Sequence, residues 1–432
     1  MNIERPGQWK RWGLALALVA GVAACVSAPA PVPARPVLRV GLSGDYPPFS
    51  EWKGEQPTGF SVELMEQFAA DQGMTPSWVR FRWPELVSDL GAGKFELADS
   101  GLTVRPERSV AGRFTVPVLR NGAVLLLRRP SWARPAQPGS PRDMSAALAE
   151  LRALDQPGLR VAVNRGGHLE HLAHTLFHQA QVQAIADNAG VRQALASGAV
   201  DAALSNNLEA PRWAEGLTGV ELLGPLTRDV VASYLRADQP ELEAALDEWL
   251  LKQESSGALG RLRARYLGPG ATEPTALPVQ ALLAAMAERL ALMPWVASAK
   301  QRAGLPVEDT AQEARVVAAF QADVSKAARA RGVAPPGDTA LEAFSRAQIE
   351  AAKLVQQRTP PEPASPTLSL ETQLRPAVAR ISARMARLVA RLPPQLDEAT
   401  VREQARDWLG ASGLEPTEVD QLARTLAALR PR

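Results

Sequence analysis

Two basic residues eleven positions apart, Arg289 and Lys300, are the chain's clearest candidates for chemistry on a small anion. Eleven residues at about 100° per residue return almost to the starting angle, so in a continuous helix both side chains lie on one face. Two cations three helical turns apart suit a ligand with two negative charges. The spacing is compatible with a dianion site in the C-terminal half, and equally with unrelated charges on an amphipathic helix, so further residues must decide between them.

Arg108 is a second candidate anion-binding residue. It follows a turn rich in hydroxyl groups that contains Ser100 and Thr103. A guanidinium binds a carboxylate through two parallel hydrogen bonds, so this arrangement favours a carboxylate ligand. The alternative is that Arg108 forms an ordinary surface ion pair.

The four histidines of the chain lie close together, at His168, His171, His174 and His178. The last three follow the spacing i, i+3, i+7, which places them on one face of a helix. No second segment supplies further ligands, and the pattern is not His-Glu-x-x-His. We therefore interpret them as a partly exposed helix face and predict no metal site and no cofactor.

The hydrophobic pattern divides the chain into an α/β part and an all-helical part. From about residue 37 to 267, short apolar strands (37–42, 123–127, 159–163 and 200–204) alternate with helical patterns such as 60–72. This alternation favours parallel sheets covered by helices. Residues 268–278 hold three prolines and two glycines and are interpreted as a linker. Long helical patterns fill residues 279–432, interrupted once by the prolines at 360–366.

The N-terminus has the pattern of an export signal. Lys10 and Arg11 precede an apolar run at 13–24 that is too short for a permanent membrane span. The run ends at Cys25, the only cysteine, in a setting like a bacterial lipobox, which predicts lipidation and outer-membrane anchoring. The alternative is a plain cleaved signal. Residues 26–36 form a predicted Pro/Ala tether. The predicted lipid at Cys25 is the only contact with the membrane that we expect.

The charge balance excludes a nucleic-acid partner. The net charge of +2 comes from the first twelve residues, where Arg5, Lys10 and Arg11 outnumber Glu4, and the rest carries 45 basic and 45 acidic residues (48 less 3, and 46 less 1). A neutral chain without a basic run has no field to attract polyanions.

Five short motifs within residues 37–267 resemble the family 3 periplasmic solute-binding proteins: SGDYPPFS at 43–50, GFSVEL at 59–64, SGLT at 100–103, PER at 106–108 and FTVP at 114–117. Three more resemble the cyclohexadienyl dehydratase branch of that fold: WPEL at 83–86, VNRGG at 163–167 and SNNLEA at 205–210. The resemblance implies a type II periplasmic-binding-protein-like domain, in which two lobes close on a small ligand and the chain crosses the hinge twice.

The same resemblance implies roles for individual residues. Arg108 would take the ligand's carboxylate, and Glu209 would be the catalytic acid. Asn206 stands where an aspartate normally meets an ammonium group, which implies prephenate rather than arogenate as substrate. The remaining residues that the resemblance places in the cleft are Asp45, Tyr46, Trp83, Ser100, Thr103 and Asn164.

Residues 276–392 resemble the periplasmic, gamma-class chorismate mutases. The motifs are AERL at 287–290, LPVED at 305–309, QIEAAKLVQ at 348–356 and LRP at 374–376. The resemblance implies that Arg289 and Arg375 hold carboxylates, that Lys300 and Gln356 donate to the ether oxygen, and that Glu313 orients the hydroxyl. Asp309 and Gln312 complete the expected site.

Together these patterns predict an exported bifunctional enzyme of phenylalanine biosynthesis. The C-terminal all-α domain would convert chorismate to prephenate, and the N-terminal domain would convert prephenate to phenylpyruvate, with these small molecules as the only partners. The alternative is an active mutase fused to a domain that only binds an amino acid or another small carboxylate.

Overall fold

The computed structural model of the chain describes residues 35–128, 143–268, 271–360 and 367–429. The predicted signal peptide, Cys25 and most of the predicted tether lie outside the described residues. Residues Val37–Arg432 form one compact unit.

Alternating polar and apolar segments in the first half form short strands separated by helices, as the sequence predicts. The strands, in chain order, are β1 (Val37–Leu42), β2 (Asp45–Tyr46), β3 (Ser50–Lys53), β4 (Gln56–Thr58), β5 (Thr75–Arg80), β6 (Leu97–Ala98), β7 (Gly112–Phe114), β8 (Leu119–Asn121), β9 (Ala123–Arg128), β10 (Arg160–Asn164), β11 (Gln181–Ile185), β12 (Ala202–Asn206), β13 (Val220–Leu223), β14 (Asp229–Val231) and β15 (Tyr234–Arg236).

Helices cover these strands and make up all of the regular structure in the described part beyond residue 278. They are α1 (Phe60–Asp71), α2 (Leu86–Gly91), α3 (Pro106–Ala111), α4 (Met144–Leu154), α5 (His168–Leu176), α6 (Asn188–Ser197), α7 (Ala210–Ala214), α8 (Pro240–Ser255), α9 (Ala258–Leu267), α10 (Pro278–Ala291), α11 (Met293–Arg302), α12 (Thr310–Ala330), α13 (Asp338–Arg358), α14 (Arg375–Val389), α15 (Glu398–Leu409) and α16 (Pro416–Ala427).

The strands build two lobes joined by a pair of connecting strands. Lobe 1 has the sheet order β5-β1-β6-β15-β7, and lobe 2 has the order β11-β10-β12-β9-β13. The chain leaves lobe 1 through β8 and returns through β14, and these two strands pair antiparallel between Leu119–Asn121 and Asp229–Val231. The two-lobed α/β fold with two crossings agrees with the prediction.

Burial on both faces of the lobe 2 sheet explains its apolar strands. In β12, Ala202 and Leu204 belong to one buried cluster while Ala203 belongs to the cluster on the opposite face. Helices therefore cover both sides, as is usual when parallel strands dominate a sheet.

The helical part shares a core with lobe 1 instead of forming an isolated domain. One continuous cluster of buried side chains runs from the lobe 1 sheet through α10 to α14, α15 and α16. The stretch Pro278–Arg302 is long and apolar enough to cross a membrane, but 78% of its most apolar window is buried inside the protein, which is typical of a central core helix.

Three helix predictions need correction. The predicted continuous helix through Arg289 and Lys300 is interrupted at Leu292 between α10 and α11, where Pro294 lies in the first turn of α11. Helix α5 ends at Leu176, so His178 does not share its face. The helical pattern predicted for 279–432, with its single interruption at 360–366, is also interrupted at residues 410–415, between α15 and α16.

Candidate functional site

A cavity of about 270 Å³ lies among the helices of the C-terminal part. Its lining contains Arg289 and Lys300 together with the other residues that the sequence resemblance places in the C-terminal site: Asp309, Gln312, Glu313, Gln356 and Arg375. These residues come from α10, α11, α12, α13 and the start of α14, together with the loop before α12. Side chains separated by up to 86 residues in the chain therefore converge on one cavity.

Arg289 is a buried cation that has no counter-ion among the residues that the structure describes. Its side chain donates to the main-chain oxygen of Gln348 at 3.1 Å. Burial lowers the pKa of the guanidinium to about 10, and no charged neighbour contributes to that shift. A buried charge that lacks a partner is costly, so this position favours binding of an anion.

Lys300 and Arg375 bring further positive charge to the same cavity. The Lys300 ammonium group donates to the main-chain oxygen of Val307 at 2.7 Å. Burial lowers the pKa of Lys300, and the charge of Arg375 lowers it further. Arg375 is partly exposed and donates to both carboxylate oxygens of Glu371 at 2.5 and 2.7 Å. Positive charge is thus concentrated on this part of the cavity wall, and the nearby carboxylates of Asp309 and Glu313 offset part of its effect on Lys300.

Two glutamine side chains face this cavity with unused hydrogen-bonding groups. Gln356 donates to the main-chain oxygen of Ala352 at 3.1 Å, while its own side-chain oxygen is buried without a partner. Both side-chain polar atoms of Gln348 are buried without partners. Gln348 was not among the predicted site residues, although the four-residue spacing of 348, 352 and 356 was the signal for it.

The N-terminus of α12 supplies the acidic side of the cavity. Asp309 caps this helix by accepting from the main-chain N–H of Gln312 at 2.9 Å, so it has a structural role in addition to any ligand contact. Glu313 lies 3.7 Å from the ammonium group of Lys353. Lys353 also lines the cavity and is a cation that the sequence analysis did not single out.

A second candidate site is the cleft between the two lobes, which encloses a cavity of about 40 Å³. Its lining includes Tyr46, Trp83, Thr103, Arg108, Asn164 and Asn206 among the predicted residues. The volume accommodates a few water molecules at most, so the lobes are in a closed arrangement. A ligand the size of prephenate requires them to open.

Arg108 is the cleft's anion-binding group. Only 2% of its surface is exposed, and it donates to the main-chain oxygen of Thr103 at 3.0 Å. Burial lowers its pKa to about 9, and the charge of Arg105 lowers it further. The described residues place no carboxylate in ion-pair contact with Arg108, which leaves its guanidinium available to a ligand.

Three predicted cleft residues do not line the closed cavity. Ser100 is fully buried, and its hydroxyl accepts from the N–H of Ser43 at 3.0 Å. Asp45 accepts from the indole N–H of Trp83 at 3.1 Å. The third is Glu209, which precedes α7 and is also absent from the lining. Ser100 and Asp45 therefore support the cleft wall from behind.

Glu209 nevertheless has the protonation behaviour expected of an acid. It is almost completely buried, and Ser205 donates a hydrogen bond to its Oε2 at 2.7 Å. Burial raises the pKa of Glu209 to about 8, against the opposing effect of that hydrogen bond. The carboxyl group is therefore mostly protonated at neutral pH.

The side chain of Asn206 is already used within the protein. Its amide nitrogen donates to the Tyr46 hydroxyl, and its oxygen accepts from the N–H groups of Leu208 and Glu209 at 2.9 and 3.1 Å. Tyr46 stacks on Phe49 with ring centroids 5.1 Å apart. Asn206 thus fixes Tyr46 and the turn before α7.

His168 and Asp229 are titratable residues of the cleft that were not predicted as site residues. Both line the cavity, and His168 Nε2 lies 3.2 Å from Asp229 Oδ2. The sequence marks His168 only as one of four clustered histidines, and nothing in the sequence connects it with Asp229, 61 residues later. Within the described ranges, no group of three or more histidine, cysteine, aspartate or glutamate side chains could hold a metal ion.

Comparisons with known proteins agree with the two-lobed part. Residues 38–269 match the model of the bacterial extracellular solute-binding proteins, family 3. A cyclohexadienyl dehydratase of Pseudomonas aeruginosa is 29% identical over 236 residues, which cover 54% of this chain and 82% of that protein. The L-cystine-binding protein TcyJ of Escherichia coli K12 is 25% identical over 272 residues, or 60% of this chain and 95% of the relative.

Among solved structures, the ancestral amino acid-binding protein AncCDT-1, described as a precursor of cyclohexadienyl dehydratase, is similar with a TM-score of 0.47 and 26% identity. The similarity covers 54% of this chain and 95% of that one.

Proposed function

Because the chain belongs to the bacterial extracellular solute-binding proteins, family 3, through residues 38–269, we propose that its cleft binds a small carboxylate and converts it. We further propose that the helical part is a chorismate mutase that supplies prephenate to the cleft, and that the cleft is a dehydratase that yields phenylpyruvate. Such a protein is exported, as the description of its family supports, and is anchored through lipid at Cys25.

The observation that carries the mutase proposal is the convergence of Arg289, Lys300 and Arg375 with two buried, incompletely bonded glutamines on one cavity. Chorismate carries two carboxylates and an ether oxygen that gains negative charge as the C–O bond breaks. Three cations and an amide donor suit that charge distribution.

The mutase reaction requires positioning and electrostatic stabilisation only. Arg289 and Arg375 hold the two carboxylates and so favour the compact conformer in which the reacting carbons meet. Lys300 and the amide of Gln356 donate to the ether oxygen as its bond breaks, and Glu313 accepts from the substrate hydroxyl. Both partners of the bond that forms lie in one molecule, so no nucleophile, metal or cofactor is needed.

The dehydratase proposal is supported by the similarity to a cyclohexadienyl dehydratase and by two features of the cleft. Arg108 offers the pyruvyl carboxylate a guanidinium that forms no ion pair with a carboxylate among the described residues. By the sequence resemblance Glu209 is the proton donor, and its raised pKa keeps it protonated at neutral pH. The leaving hydroxyl of prephenate needs such a proton to depart as water.

A second candidate function for the cleft is ligand capture without turnover. In the closed arrangement Glu209 does not line the cavity, so turnover requires a rearrangement that brings its carboxyl group to the leaving group, whereas ligand capture does not. The relative TcyJ, described as an L-cystine-binding protein, is an example of a family member named for binding.

The mutase proposal is tested by removing one cation and comparing it with a matched surface variant. We expect Lys300→Ala to lower kcat/KM for chorismate by roughly 100-fold or more, because it removes a donor to the developing oxyanion. Lys326→Ala, at an exposed position of α12, should leave the rate within about two-fold. Equal rates for both variants and the unmodified protein would contradict the proposal.

A further inference from the structure

The cavity in the helical part contains a buried side chain to which the proposed mechanism assigns no role. Gln348 lies in α13, lines the same cavity as Arg289 and is only 4% exposed. Both polar atoms of its side-chain amide are buried without a hydrogen-bond partner among the described residues. Buried polar groups in folded proteins are almost always hydrogen-bonded, so this exception indicates a partner that enters through the cavity.

The neighbouring polar groups on this face of α13 do not supply that partner. The hydroxyl of Ser345, about one turn earlier, donates to the main-chain oxygen of Leu341 at 2.8 Å. The amide nitrogen of Gln356, about two turns later, donates to the main-chain oxygen of Ala352 at 3.1 Å. The amide of Gln348 is therefore available to a ligand.

The main chain of Gln348 fixes the position of Arg289. Nη1 of Arg289 donates to the main-chain oxygen of Gln348 at 3.1 Å, so the guanidinium lies against the turn of α13 that carries the amide. Arg289 is buried, and burial lowers its pKa to about 10 without a contribution from a charged neighbour. A ligand group held by this guanidinium therefore lies beside the turn that carries the Gln348 amide.

We propose that Gln348 is a substrate-binding residue whose amide NH₂ group donates to the carboxylate that Arg289 holds. The inference rests on the proposed mutase activity and adds a specific contact to it. The two oxygens of a carboxylate together accept about four hydrogen bonds, which is more than one edge of a guanidinium supplies. Because neither amide atom has another partner, the side chain can turn its NH₂ group toward the ligand.

A neutral donor suits this position better than a second cation does. Arg289 already carries a buried charge with no counter-ion among the described residues, and another cation beside it would repel it. An amide adds a directed N–H without adding charge, and it donates at every pH because it does not titrate. Gln348 thus strengthens carboxylate binding without the cost of a second buried charge.

The spacing along α13 leaves room for a small substrate between two amides. Gln348 and Gln356 are eight residues apart, which is about 12 Å along a helix axis at about 1.5 Å per residue. Ala352 lies between them on this face, and its side chain is only a methyl group. A small ligand can therefore have its carboxylate at Gln348 and its ether oxygen at Gln356.

A contact to the carboxylate has a kinetic signature of its own. The carboxylate keeps its charge throughout the rearrangement, whereas the ether oxygen gains negative charge as its bond breaks. Loss of a contact to the carboxylate therefore weakens bound substrate and transition state about equally, which raises KM and leaves kcat nearly unchanged. Loss of a contact to the ether oxygen lowers kcat instead.

The test compares chorismate turnover by the full chain and two variants. Methionine is nearly as long as glutamine but lacks the amide, so we expect Gln348→Met to raise KM for chorismate about 10-fold or more. Its kcat should stay within about three-fold of the unmodified protein. Gln357→Met, at an exposed position of the same helix, is the matched control and should leave both constants within about two-fold.

Thermal unfolding without substrate distinguishes ligand binding from a structural role. Gln348→Met removes two buried atoms that make no hydrogen bond within the described part of the free protein, so its midpoint should equal or exceed that of the unmodified protein. A lower midpoint together with lost activity makes Gln348 a structural residue and overturns the inference. An unchanged KM, or a loss confined to kcat, also overturns it and leaves the mutase proposal standing. An unmodified protein that leaves chorismate unchanged overturns the mutase proposal itself, and the role of Gln348 with it.

Discussion

For the proposed chemistry of the helical cavity, the charge states of its polar groups matter as much as their positions. Gln356 is a donor at every pH because its amide does not titrate, whereas a carboxyl at the same place donates only when protonated. Arg375 lies close enough to Lys300 for its charge to lower the pKa of the Lys300 ammonium group. A negative charge added to this cavity would therefore interact directly with both cations.

A glutamate at position 356 should therefore make the mutase pH-dependent. We expect the rate of Gln356→Glu to decrease as pH rises above the pKa of the new carboxyl, reaching a loss of roughly 100-fold at neutral pH. The measurement is kcat/KM for chorismate between pH 5 and 9. A variant with the same pH profile as the parent would show that residue 356 does not touch the reacting oxygen.

The raised pKa of Glu209 leads to a prediction about protein stability that is independent of any role of this residue in turnover. Its ordinary pKa of 4.5 is raised to about 8 by burial, so the folded protein binds this proton more tightly than the unfolded chain does. Unfolding then releases a proton between these two values. The folded state therefore loses stability as pH rises through that window, by up to about 5 kcal/mol in total.

Glu209→Gln should remove this loss. We expect the variant and the parent to have similar unfolding free energies near pH 4.5, and the variant to be more stable by a few kcal/mol near pH 8. Glu215→Gln, at an exposed position nearby, is the control and should follow the parent. Parallel curves of unfolding free energy against pH for all three proteins would refute the buried, protonated state.

At the scale of elements, the connecting strands are held by a helix from the far end of the chain. Asp407 of α15 accepts from Arg120 of β8 and from Arg228, the residue before β14. The guanidinium of Arg120 also lies 4.3 Å from the ring centre of Trp408. Because β8 and β14 are the strands that bend when the lobes open, α15 restrains the hinge.

Asp407→Ala should loosen this restraint. We expect main-chain amides in β8 and β14 to exchange hydrogen several-fold faster, while the lobe 1 sheet keeps its protection. Asp420→Ala removes an exposed pair with Arg406 and serves as the control. Unchanged exchange in both connecting strands would mean that α15 does not hold them.

A comparison of the observed strands and helices with the predicted ones shows which elements the sequence could predict. Apolar runs buried on both faces, such as β10 and β12, are local signals, and their positions were predicted to within about two residues. The break at Leu292 was missed because proline is tolerated in the first helical turn, so Pro294 alone does not distinguish a new helix from a kink. Most residues that line the helical cavity could be named in advance because four motifs resemble those of a known family, whereas spacing alone pointed only to Arg289 and Lys300.

The partner of His168 was not predictable for a different reason. Asp229 is brought to it by the return of the chain through the hinge, and that pairing depends on lobe closure instead of local pattern. Likewise, Glu209 was placed in the cleft by its motif, whereas its absence from the closed cavity is a property of packing.

At the scale of the whole molecule, the two candidate sites are joined by a buried polar cluster. Ser109, next to Arg108, donates to Glu288 at 2.7 Å, and Glu288 precedes Arg289. Glu288 also pairs with Arg384 of α14, which donates to the main-chain oxygen of Phe114 in lobe 1. Arg108 and Arg289, the anion-binding arginines of the two candidate sites, therefore lie on either side of one interface.

Glu288→Ala should destabilise both parts together. It leaves Arg384 buried without its counter-ion, a loss that typically costs about 3–5 kcal/mol. We expect one cooperative denaturant transition at a lower midpoint, since the two parts share a core. Glu342→Ala removes an exposed pair with Arg346 and should cost less than about 0.5 kcal/mol. Two separate transitions in the parent protein would contradict the shared core.

The most direct test of the proposed bifunctional activity is to give chorismate alone to the purified protein. Chorismate loss and phenylpyruvate formation are then followed separately. We predict that chorismate disappears, that phenylpyruvate appears after it, and that Arg108→Ala accumulates prephenate without slowing chorismate loss. Chorismate that stays unchanged would contradict the function proposed for the helical cavity. If prephenate accumulates with the unmodified protein, the two-lobed part binds its ligand without converting it.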